Sequence, residues 1–142
     1  MICDIVERLK IDEGFRPYVY LDSGGLNHLG YGFCVDSRCS SPLPLEIAAS
    51  WLNLLAGAAQ ATASSYPWWS KLNDARQNII TCLLYNVGQP VFDTFVNMQA
   101  ALAESEWQEA ANQLQDSEWF TQVGVRGPLY VQILRSGIWP SD

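Results

Sequence analysis

Histidine occurs once in this chain of 142 residues, at position 28, and lysine and arginine together number only 8. One histidine and no Cys-x-x-Cys pair argue against a zinc site, and nothing in the chain calls for a cofactor. Against 15 acidic residues the few cations leave a net charge of −7. Nucleic acid and anionic membrane surfaces are therefore poor partners, because neither is drawn to such a field. No apolar run is long enough to span a bilayer, so no membrane span is expected. The opening residues Met1-Ile2-Cys3-Asp4 lack the basic and apolar regions of an export signal. Internal repeats and low-complexity runs are absent too.

What is present is a globular composition, 49% hydrophobic and 16% charged, at a length that suits one domain with a sizeable core. The 6 tryptophans and 6 tyrosines are many for this length and serve chiefly as core and cleft lining. Four cysteines, Cys3, Cys34, Cys39 and Cys82, permit disulfides without requiring them. Cys34 and Cys39 flank one short polar loop that a bond between them would close. Cys3 and Cys82 sit in apolar helical stretches and are expected as buried thiols.

The spacing of Ile2, Ile5, Val6 and Leu9 predicts a helix that Gly14 stops, with Glu13 at its C-terminal end. That end carries partial negative charge, so a raised pKa is expected for Glu13. Tyr18 to Leu21, the turn Ser23-Gly24-Gly25, and a second extended run from Leu26 to Phe33 predict a β-hairpin. Cys34 to Pro44 is expected as loop or a remnant of sheet. Helices follow: Leu45 to Ser64, one capped by Asn73 and ended by Gly88, one opened by a capping box at Ser105-Glu106-Trp107-Gln108, and one from about Pro128 to Arg135. Trp107, Ala110, Ala111 and Leu114 form an inner stripe. The class is α+β, a single domain over 1–142 with a β lobe at about 14–44 and helical parts at 1–13 and 45–142.

Glycoside hydrolysis needs two groups across the scissile bond, one to protonate the leaving oxygen and one to activate water or attack. Glu13 at a helix end and Asp22 beside a glycine-rich turn are close enough in sequence to face one cleft. Solvation should keep Asp22 ionised while Glu13 holds its proton, the splitting that an acid/base pair requires. By spacing alone, a Glu and an Asp so placed are ordinary surface charges.

The local words are more specific. Ile11-Asp12-Glu13-Gly14-Phe15-Arg16, then Tyr20-Leu21-Asp22, then His28-Leu29-Gly30-Tyr31-Gly32 resembles the active-site stretch of phage-type lysozymes, the T-even phage lysozyme family (glycoside hydrolase family 24). That family's pattern is Glu, eight residues, Asp, five residues, Thr, then Gly-x-Gly; the spacing agrees without a gap, with His28 in place of Thr. Further words continue in order: Asp74-Ala75-Arg76, Leu84-Tyr85-Asn86-Val87-Gly88, Trp107-Gln108-Glu109-Ala110-Ala111, Trp119-Phe120, Arg126, and Arg135-Ser136-Gly137-Ile138-Trp139.

The resemblance implies a lysozyme-like fold with a cleft between its lobes, and a muramidase. Its substrate would be the β-1,4 bond between N-acetylmuramic acid and N-acetylglucosamine in bacterial peptidoglycan. Glu13 would be the acid and Asp22 the second carboxylate. Arg126 would tune the acid, and Tyr20, Gly30 and Tyr31, from the same words, would support substrate. His28 would join the catalytic group, as a neutral base for the attacking water or by taking the water's place; inversion and retention both stay open. A monomeric phage endolysin, cytoplasmic in its host until release to the wall, is the matching biology. Two other readings remain. One is a lytic transglycosylase, which needs the acid alone; the other is an inactive peptidoglycan-binding domain.

Three features depart from the resemblance. His28 replaces Thr, the stretch between Phe33 and Leu45 is short, and the chain is acidic where the better-known members are basic. The last yields a test. A protein at −7 is repelled by anionic wall polymers, and salt screens that repulsion, with a Debye length of about 10 Å at 0.1 M. Wall-clearing activity should rise from very low to moderate ionic strength. A monotonic decline with added salt would contradict it.

Overall fold

In a computed structural model that describes residues 2–39 and 42–141, and side chains from residue 5 onward, the chain divides into two units, Met1–Leu45 and Glu46–Asp142. Together they hold eight α-helices and one three-stranded antiparallel sheet among the described residues, a mixed α+β class.

In the first unit, α1 (Ile2–Glu13) stops where Gly14 takes φ +67°, a left-handed conformation that glycine adopts without a Cβ penalty. The sheet runs in the order β1 (Arg16–Leu21), β2 (Asn27–Gly30), β3 (Phe33–Cys34). Tyr20 pairs with His28 and Leu21 with Asn27, while the register slips between Arg16 and Tyr20, beside Pro17, which has no N–H for the ladder. The single extended run expected from Leu26 to Phe33 is in fact two strands. Gly30 and Gly32 both take positive φ (68° and 72°) and turn the chain about Tyr31, so that Phe33 pairs back onto Leu29 and Cys34 onto His28. From sequence, residues 1–13 are expected with the helices; here α1 groups with the sheet.

A disulfide joins Cys34 to Cys39, with their Cα atoms 6.2 Å apart. Cys82 carries a free, half-buried thiol whose pKa burial pushes up. The side chain of Cys3 lies outside the described residues.

The second unit follows from the helical periodicities: α2 (Leu45–Ser64, whose first residue falls in the first unit), a 3-10 turn (Trp69–Lys71), α3 (Asp74–Val87), α4 (Gln89–Phe92), α5 (Val96–Ala103), α6 (Trp107–Gln115), α7 (Glu118–Gln122) and α8 (Arg126–Ser136). Asn73 caps α3 by accepting from the Arg76 N–H, and Gly88 ends it at φ +78°. The capping box expected at Ser105 does not form. Ser105 sits at φ +59° in the turn that ends α5, and Glu106 precedes α6 without a side-chain cap bond. The last helix starts earlier than expected, at Arg126, because Pro128 falls in its first turn, where a missing N–H costs nothing. Among the described residues no helix is long and apolar enough to cross a membrane.

The buried core lies in this unit. Ile80, Leu83, Phe92, Met98, Leu102, Leu114, Ile133 and Leu134 are its fully enclosed large side chains, where α8 packs on α3 and α6 and α6 on α5. Trp68 and Trp119 are buried too, and all 6 tryptophans of the chain belong to this unit. Arg76 is the one buried charged residue among those described. Its Nε donates to the Leu134 carbonyl at 2.8 Å and Nη2 to that of Arg135 at 3.0 Å, so it satisfies carbonyls at the end of α8. Its guanidinium lies 4.3 Å from the Trp107 ring centre. Gly137, at φ +69°, leaves it room, since a Cβ there would come within 2.5 Å of Nη1. Replacing Arg76 with Leu strands those carbonyls and should cost about 2–3 kcal/mol. The check is urea unfolding followed by circular dichroism; an unchanged midpoint would show that the carbonyls find other partners at no cost.

Candidate active site

Asp22 closes β1 and caps the turn that follows. Its Oδ1 accepts from the Gly24 N–H at 2.8 Å and the Leu26 N–H at 2.9 Å, and its backbone N–H donates to the Leu26 carbonyl at 2.9 Å. Oδ2 faces Nε2 of His28 at 2.9 Å. The Leu26 N–H, then the His28 ring and the Gly24 N–H, hold the Asp22 carboxyl below its ordinary 3.8 against the opposing pull of burial.

His28 lies mid-hairpin, opposite Tyr20 and half-buried. Its Nδ1 is 3.0 Å from the carbonyl oxygen of Gly32. A carbonyl only accepts, so Nδ1 carries a proton; an ionised carboxylate only accepts, so Nε2 carries one as well. Below the raised pKa of His28 the pair is therefore an imidazolium donating to a carboxylate. The Gly32 carbonyl, followed by the Asp22 hydrogen bond and the charges of Asp22 and Glu13, raises the His28 pKa above its ordinary 6.5, with burial opposing. From sequence, His28 is expected as a neutral base for water. In the imidazolium form both ring nitrogens donate, and neither offers a lone pair to water.

Glu13 ends α1, exposed, and its carboxyl reaches the same turn: a Cβ on Gly32 would come within 2.6 Å of its Oε2. The positive φ favours glycine at position 32, and a Cβ there would push the Glu13 carboxyl aside. Glu13 and His28 thus both reach Gly32, with Asp22 on the far nitrogen of the His28 ring, and Glu13 is exposed.

The supporting residues named from sequence divide. Tyr20 stacks its ring 5.7 Å from that of His28 and carries the Arg16 guanidinium at 4.3 Å. Tyr31 stands between Phe15 and Phe33, at 5.5 and 6.4 Å. Gly30 keeps space for the Phe33 ring, which a Cβ would meet at 2.8 Å. Arg126 belongs to the other unit, exposed at the first position of α8.

Asp36 and Arg38 escape a reading of the sequence. Asp36 lies in the disulfide-closed loop, yet its side chain is only 6% exposed and is forked by Arg38. The Arg38 side chain first, then the Arg38 and Asn27 backbone N–H groups, hold its carboxyl far below the usual range. The only prior signal is a charged pair two residues apart between two cysteines, which is common in solvated loops. No family model matches this chain.

The shifts of the pair set a pH window. His28, with its pKa raised on folding, adds stability fully present below its unfolded pKa and lost as pH rises through the folded one. Asp22, with its pKa lowered, adds stability present above its unfolded pKa and lost as pH falls through the folded one. Both contributions coexist only between the lowered pKa of Asp22 and the raised pKa of His28. In an NMR titration the His28 ring should titrate above 6.5, and Asp22→Asn should move the midpoint down. An imidazole that titrates at or below 6.5 in the native protein would contradict the doubly protonated ring.

Proposed function

We propose that the chain hydrolyses the β-1,4 bond between N-acetylmuramic acid and N-acetylglucosamine in bacterial peptidoglycan, with Glu13 as general acid. The resemblance to phage-type lysozymes supplies the substrate. The observation that carries the chemistry is the approach of the exposed Glu13 carboxyl to Gly32, whose carbonyl faces the His28 ring that in turn faces the hydrogen-bonded carboxylate of Asp22.

Each residue then has a distinct task. Glu13 gives its proton to the leaving glycosidic oxygen as the bond to the sugar's anomeric carbon breaks. Positive charge develops at that carbon, and Asp22, held ionised, stabilises it. Oδ1 of Asp22 is saturated by two backbone donors, but Oδ2 accepts only from His28. One lone pair on Oδ2 is left to orient the water that completes hydrolysis. The His28 imidazolium fixes the rotamer of Asp22 and keeps it ionised, a support that differs in kind from the base role expected of a neutral ring. Tyr31 and Phe15, whose ring centres lie 5.5 Å apart, would offer aromatic faces for the apolar side of a sugar ring. A wall substrate fits the biology of a phage endolysin, released from the host cytoplasm at lysis.

Glu13→Gln keeps the shape of the side chain and removes the proton. Wall-clearing activity should fall by about 10²–10⁴-fold with folding intact. A Glu13→Gln protein that clears walls at the wild-type rate would sink the assignment of the acid, whereas a wild type that binds walls without clearing them would leave a binding module. Mass analysis of released muropeptides identifies the reaction: reducing ends mean hydrolysis, whereas 1,6-anhydro ends would make it a transglycosylase. Activity should also decline as pH rises through the His28 pKa, because the imidazolium is lost there.

A further inference from the structure

We infer that Asp36 and Arg38 are positioning residues for the His28–Asp22 pair, clasping the Asp22–Asn27 turn from the loop that the Cys34–Cys39 disulfide closes. The inference rests on the proposed role of that pair, but its geometry stands apart from any substrate.

The turn needs an outside hold. Ser23-Gly24-Gly25 contains two glycines, one of them at φ +77°, and such a segment has many conformations to lose on ordering. Yet Asp22 depends on that turn for both backbone donors to Oδ1. The clasp grips it on either side of Leu26. Arg38 Nη2 donates to the Gly25 carbonyl at 2.8 Å, and Asp36 Oδ2 accepts from the Asn27 backbone N–H at 3.3 Å and from Asn27 Nδ2 at 3.2 Å. Asn27 immediately precedes His28, and its carbonyl accepts from the Val35 N–H at 2.9 Å.

Asp36 and Arg38 are in turn locked to each other. Arg38 Nε and its backbone N–H donate to Oδ1 at 2.6 and 3.1 Å, and Nη2 donates to Oδ2 at 2.7 Å. With the two bonds from Asn27, the Asp36 carboxylate takes five donors and has no capacity left for water or ligand. A planar guanidinium fits this fork where an ammonium would not. An exposed ion pair contributes little by itself, and Arg38 is largely exposed, but the Asp36 side chain is only 6% exposed, so the carboxylate end of the fork is shielded by its own donors. The Cys39 N–H donates to the Asp36 carbonyl at 2.9 Å, and the disulfide closes the loop behind it.

The test is the NMR titration of His28 in the full-length protein, with Arg38→Gln as the deciding variant. The charges facing the His28 ring are Asp22 and Glu13, and Arg38 acts on Asp22 from the loop. Removing a nearby cation would, by Coulomb's law alone, raise the His28 midpoint. Loss of positioning loosens the Asp22–His28 bond and lowers it. A downward shift towards 6.5, with turnover reduced by about tenfold or more and the β1–β2 amide resonances in place, is expected. Asp36→Asn should do the same. An unchanged or raised midpoint in Arg38→Gln would overturn the inference, and collapse of the sheet resonances in both variants would make the clasp merely structural. The titration needs no substrate, so an inactive wild type, or an active Glu13→Gln, would defeat the proposed hydrolysis without disturbing this comparison.

Discussion

The carbonyl oxygen of Gly32 has no proton to give, and it faces a ring nitrogen of His28 at 3.0 Å. That constraint fixes one half of the ring. It places a proton on Nδ1, and the ionised Asp22 carboxylate opposite Nε2 then favours a second proton there, which makes the ring an imidazolium. The same glycine gives Glu13 its approach, because no side chain could stand between the carboxyl and the turn. One glycine thus meets both the acid and the ring that faces Asp22.

Much of this is legible in the sequence. The end of α1 at Glu13 follows from Gly14, the span of α2 from its apolar periodicity, and the cap of α3 from Asn73. Where sequence and structure part, the causes are physical. The Leu26–Phe33 run has the composition of one strand, and only the paired positive φ at Gly30 and Gly32 breaks it in two. Ser105 has the right spacing for a capping box but is spent on a left-handed turn. His28 stands out by position, yet its charge depends on which oxygen lies opposite each nitrogen, and no pattern of residue types encodes that. Asp36 and Arg38 stay hidden because their bonds to Gly25 and Asn27, not their identity, distinguish them from a solvated pair.

The two units are held together internally by different means. The helical unit has an apolar core that runs from Ala63 to Leu134. Among the described residues of Met1–Leu45, only Gly30 is buried, and large apolar side chains such as Phe15, Val19 and Phe33 are exposed. Order in the sheet comes from ladder bonds, the aromatic trio about Tyr31, the Asp36–Arg38 fork and the Cys34–Cys39 bridge. Apolar burial ordinarily supplies most of the drive to fold, so a unit with little of it depends on polar geometry and cross-linking.

Every indole in the chain lies beyond residue 46, while Tyr18, Tyr20 and Tyr31 stand in the sheet unit. Tryptophan emission is therefore a clock for one unit only. Light absorbed by indoles reports the burial of Trp68 and Trp119, and the unit that bears Glu13, Asp22 and His28 has no indole of its own. If the units unfold at different denaturant concentrations, the emission trace will look two-state while the sheet unit melts unseen. A protein judged native by its fluorescence can have lost its acid and its pair already.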